Sequence, residues 1–296
     1  MKAKISTKFP LQQELLTLIK KKLPLHAVYV IGVNTDKKKQ HIFLSPISTY
    51  PQKTVIYTLL IIGYRPMSME LGEFMDGIYN QMQQRCRVYA IYFTLAKATK
   101  RLDYGNNFLL KTIFRTPCIY RADDALLRFR DYKILIHPNI YERIQKTWEV
   151  RMKRAAYLLS ILDNIEPTED VTSRLMTMHY ALEQICLGLL YAFWEIKPQH
   201  YALSYMLHLC SHFSHLPQTI FPKETYGLHR MHYILCNAHH IMRFKAENEF
   251  SHRDSDKAFN RCERFFEEAQ SLGERHLKKL KEIHYKAHAP ISLKSS

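Results

Sequence analysis

Apolar residues recur along this chain with two periods, and the point where one replaces the other divides it. In "PLQQELLTLIKKKL" (Pro10 to Leu23), Leu11, Leu15, Leu18 and Ile19 fall on one helical face, and Lys20 to Lys22 sit near the end, where cations suit the helix dipole. Three stretches rich in β-branched and aromatic residues follow, "AVYVIGV" at 27–33, "HIFLSP" at 41–46 and "TVIYTLLII" at 54–62, with the polar turn "NTDKKKQ" between the first two. Leu71, Phe74, Ile78 and Met82 restore helical spacing over Met69 to Gln84, and "VYAIYFTLA" (Val88 to Ala96) predicts a strand. This first part reads as a small mixed α/β layer. After Asp103 strand character fades, and Pro138 in "LIHPNI" marks a break.

Everything beyond the break has the period of a helix. Segments are predicted at about 141–163, 167–195, 200–213, 224–248 and 255–286, the second carried by Val171, Leu175, Met178, Leu182, Ile185, Leu189 and Phe193, and the last opening at Ser255 as N-cap. Five helices joined by short loops make an up-and-down bundle. The fold class is α+β, with domains at 1–137 and 138–288 and a loose tail at 289–296.

Composition fits a globular chain: 47% of residues are hydrophobic, 24% charged, and only eight of 296 are glycine, which favours helices over turn-rich architecture. The longest apolar run, Val55 to Tyr64, is half of what a membrane-spanning helix needs, so no membrane association is expected. Six scattered cysteines without a C-x-x-C pair suggest reduced thiols and a cytoplasmic protein.

Charge adds a direction to this picture. The net charge is +16, and residues 1–140 carry 22 Lys and Arg against 9 Asp and Glu, whereas residues 141–296 carry 21 against 18. Such a surplus speeds encounter with polyanions, RNA first, and equally suits an acidic protein partner. Candidate contacts are Lys37, Lys38 and Lys39 in the turn, Arg85 and Arg87 before the last strand, and Lys97, Lys100 and Arg101 after it. The last two groups flank one strand, and Tyr89, Tyr92 and Phe93 interleave with them in a mix that suits backbone contacts and base stacking, or a strand core.

In the second part, "MRFKAENEFSHRD" (Met242 to Asp254) holds Arg243 and His252, and His240, Arg243 and Glu247 step along one face as a polar stripe. On one unbroken helix, Arg243 and His252 point to opposite sides, so they meet only if the helix ends between them. Otherwise Arg243 pairs with Glu247 and His252 lies in a loop. His208, His212 and His215 share one side of a helix, but no Cys or carboxylate completes a ligand set there, and neither metal nor cofactor is expected.

The run His179 to Leu209, followed by a helix ending "HHIMRF", resembles a HEPN domain over Tyr141 to Lys286. That resemblance implies a bundle that dimerises and, in active members, an Arg and a His forming a metal-independent ribonuclease site. Here Arg243 and His252 stand in for that pair at a wider spacing. The first part resembles a degenerate nucleotidyltransferase, with "NNFLLKTIFRTPCIYR" as closing helix and turn. Active members place Gly-Ser after the first strand and paired acids on the next; here Val33 follows Gly32, and neither "HIFLSP" nor "KTVIYTLLIIGY" holds an Asp or Glu. Three functions remain open: RNA binding or regulation beside an inactive nucleotidyltransferase-like domain, a ribonuclease using Arg243 and His252, and a non-enzymatic scaffold.

Overall fold

A computed structural model describes residues 9–35, 54–129, 138–164, 170–245 and 250–288. The chain is α+β and separates into two compact units, Met1–Ile134 and Leu135–Ser296.

In the first unit, α1 (Gln12–Lys22) leads into β1 (Leu25–Thr35), followed by β2 (Val55–Gly63), α2 (Leu71–Gln81), β3 (Cys86–Thr94), α3 (Leu95–Asp103), α4 (Asn107–Arg115) and β4 (Cys118–Arg121). The sheet order is β3-β2-β1-β4, with β2 and β3 parallel and the other pairs antiparallel. β2 lies inside the sheet and is buried at all but one position, which explains why it reads as a continuous apolar run instead of alternating. The parallel β2–β3 pair needs a crossover, and α2 supplies it, with Phe74, Met75 and Ile78 buried.

Three expectations for this unit change. The strand predicted to run to Ala96 stops at Thr94, whose hydroxyl accepts from the Lys97 N–H at 3.2 Å and so caps a helix that starts at Leu95. β1 does not end at Val33 but continues to Thr35, with Gly32 at a register shift against β2, where a residue without Cβ suits the local kink. Strands also return after Asp103, since β4 pairs with β1. The expected strand at 41–46 lies outside the described residues, as do Lys37, Lys38 and Lys39.

The second unit is helical: α5 (Pro138–Asn164), α6 (Val171–Trp194), α7 (Leu203–Cys210), α8 (Leu216–Ile220), α9 (Tyr226–Phe244) and α10 (His252–His288). α6 is apolar nearly all round and packs against α5, α7, α9 and α10, which makes it the core helix. Pro138 is the first residue of α5, where its missing N–H costs nothing. Five helices were expected and six are described, the short α8 being the addition.

The end of α9 also differs from expectation. It closes at Phe244, and α10 begins at His252 on Ser251, not on Ser255. The Ser251 hydroxyl accepts from the Asp254 N–H at 3.2 Å while the Ser251 N–H donates to the Asp254 carboxylate at 3.2 Å, a capping box. Ser255 is buried within the first turns of the same helix. No helix among the described residues is long and apolar enough to cross a membrane.

Candidate functional site

One groove in the helical unit gathers side chains with chemistry. It has a volume of about 540 Å³ and takes Met176, His179, Tyr180 and Glu183 from α6, His200, Tyr201 and Ala202 from the segment before α7, and His239, Met242 and Arg243 from α9. On both helices the spacing is three and four residues, so each helix presents one face. α6 ends because Glu195 takes a left-handed conformation at φ 54°, and the chain then runs through His200 to Ala202 into α7.

His179 is the deepest of these groups, with 3% of its surface exposed. Its Nδ1 lies 2.7 Å from the Leu235 carbonyl oxygen and donates to it, which fixes the ring. Burial lowers its pKa, with the Leu235 contact opposing, and the neighbouring His239 lowers it further. The two imidazoles stand 4.9 Å apart between centroids. His239 is exposed and is also shifted down, by partial burial and then by its electrostatic interaction with the neighbouring His240 and Arg243. Glu183 is half-buried; burial pushes its carboxyl up, and Arg151 opposes the shift. Tyr180 and Tyr201 expose 44% and 55% of their surface, a large apolar area at the mouth of a polar groove.

The sequence-predicted residues divide around this groove. Arg243 lines it, and His252 does not. The two lie on different helices, both exposed, so the geometry of a continuous helix does not apply to them. His240 parts from Arg243 and packs its ring on Phe244 at 4.6 Å, while Glu247 lies outside the described residues. The stripe that Arg243 does join is His239, Met242 and Arg243. His179 and Glu183 were overlooked, although a His and a Glu four residues apart in an otherwise apolar helix are the kind of interruption that marks a lined groove.

In the first unit, Arg85 forms an ion pair with Glu14 at 2.6 Å, and Arg87 lies over the ring of Tyr79 at 4.9 Å. Lys97, Lys100 and Arg101 sit on α3 at the far end of β3, so the two groups are separated by the strand, roughly 26 Å. They form no single patch. Arg101 covers Phe93 at 5.0 Å, and α4, packed on α3, adds the exposed Lys111 and Arg115. Tyr92 and Phe93 are buried, so the interleaved aromatics are mostly core. His208 and His212 meet edge to face at 5.3 Å, and among the described residues no three His, Cys, Asp or Glu side chains are placed to hold a metal. All six cysteines are free.

Comparison of the chain with family models, with curated proteins and with solved structures gives no match.

Proposed function

We propose that this is a cytoplasmic RNA-binding protein in which a HEPN-like helical unit holds single-stranded RNA and a catalytically inactive, nucleotidyltransferase-like unit adds unspecific attraction. The observation that carries this reading is the juxtaposition of Arg243 and His239 with the exposed rings of Tyr180 and Tyr201 in one groove. Single-stranded RNA needs both parts: a cation for the phosphate and a flat aromatic for an unstacked base, the latter worth about 1–3 kcal/mol per base. A duplex does not offer its bases this way. The test is binding of a labelled U-rich oligonucleotide by fluorescence anisotropy. Affinity should fall steeply with salt, and Arg243→Ala and Tyr201→Ala should each weaken it; no binding at low salt would refute the proposal.

Cleavage of RNA by Arg243 and His252 gains nothing from this groove, which His252 does not line. RNA should therefore stay intact on prolonged incubation. Two copies are proposed to associate through α9, where Tyr226, Tyr233, His240 and Phe244 leave an exposed, mostly aromatic stripe at spacings of seven and four residues. A two-fold axis would let the same stripe cover itself. Light scattering should give twice the chain mass, and Tyr233→Asp should halve it.

A further inference from the structure

On its α6 side the floor of the groove carries two acceptors, His179 and Glu183. His179 gives its Nδ1 proton to Leu235, so in the neutral ring Nε2 carries a lone pair. Burial keeps that ring neutral, so Nε2 is an acceptor on a residue that lines the groove. One turn further along α6, Glu183 presents a carboxyl group to the same groove; burial pushes its pKa up, Arg151 opposes the shift, and its ionised form accepts only. These acceptors line the groove, so this floor favours a ligand whose donors replace water on them.

The donors must be adjacent and carried by a flat ring, because Tyr180 and Tyr201 flank the same groove. Among the four RNA bases, guanine alone offers two neighbouring donors, N1–H and the N2 amine, on its Watson–Crick edge. Adenine and cytosine pair one donor with an acceptor there, and uracil has one N–H between two carbonyls. We infer that the groove holds one unpaired guanine, its ring against Tyr180 and Tyr201, its N1–H and N2 amine given to Glu183 and His179, and its phosphate facing Arg243. This inference rests on the RNA-binding reading and narrows it to a base.

The full chain is titrated with labelled U-rich oligonucleotides that differ only in a central G, inosine, A, C or U. The G oligonucleotide should bind at least about tenfold tighter than the A, C or U ones, with inosine, which lacks the N2 amine, in between. Glu183→Gln should erase this preference by weakening the G oligonucleotide far more than the all-U one, and Arg243→Ala should weaken every oligonucleotide alike. Equal affinity for all five overturns the guanine assignment but leaves RNA binding standing; no affinity for any overturns both. Guanine preference that survives in a folded Glu183→Gln protein, checked by circular dichroism, overturns the assignment to this carboxylate.

Discussion

The indole of Trp148 on α5 lies between two helical glycines, Gly188 on α6 and Gly273 on α10. A Cβ built at Gly273 would stand 2.1 Å from the ring atom Cζ2, and one at Gly188 would stand 3.2 Å from Cε3. Gly273→Ala gains about 1 kcal/mol of helix propensity, but overpacking a buried aromatic costs about 1–3 kcal/mol, so net destabilisation is expected in urea titration. Gly227→Ala is the control. That glycine lies in the first turn of α9 with nothing within 4 Å of the added Cβ, so the propensity gain stands alone and stability should rise by a few tenths of a kcal/mol. A stabilised Gly273→Ala protein would mean that the indole shifts freely. The same local reasoning applies to His252, exposed at the start of α10 and outside the groove: His252→Ala should bind RNA as the wild type does.

At the scale of elements, the junction from α9 to α10 depends on one carboxylate. Asp254 accepts from the Ser251 N–H in the capping box and pairs with Arg230 at 3.3 Å, and Arg230 in turn covers the ring of Phe250 at 5.1 Å. Partial burial acts to raise the Asp254 pKa, yet the Ser251 donors and Arg230 outweigh it and hold the carboxyl below its usual value. A depressed carboxylate stabilises the fold fully above its unfolded pKa of about 3.9, and this contribution disappears as pH falls through the folded value. Asp254→Asn should therefore destabilise the protein at neutral pH and flatten its loss of stability below pH of about 4. Ser251→Ala should cost about 1 kcal/mol in thermal unfolding. This junction also shows what the sequence made legible. Long elements with one buried face, such as α2, α6 and β2, were readable because their period is repeated many times. The break between α9 and α10 was readable but its bounds were not, since no glycine or proline marks them and the signal is a two-residue exchange, Ser251 with Asp254, competing with Ser255. The α3 start was hidden the same way behind Thr94. The groove was half legible: Arg243 was singled out on its own helix, but its partners His179 and Glu183 come from a helix some 60 residues earlier, a distance that no local pattern spans.

For the whole molecule, each unit has its own apolar core, and the basic surplus is concentrated in residues 1–140. Residues 1–134 and 135–296, expressed separately, should then each unfold cooperatively. On the proposed RNA-binding reading, the affinities of the two should differ in kind. Lys97 and Lys100 on α3 and Lys111 and Arg115 on α4 are exposed cations without a shaped slot for a base, which suits phosphate contacts of little selectivity. The helical fragment holds the acceptor floor and the tyrosines. It should keep the preference for guanine while losing affinity and salt dependence, since a tethered cationic unit raises the effective concentration of RNA at the groove and adds released counterions. Replacing the four cations with glutamine in the full chain should reproduce the fragment's smaller salt slope, with base preference intact. A helical fragment that binds as tightly as the full chain, with the same slope, would show that the first unit's charge does not serve RNA and would direct the search to an acidic protein partner instead.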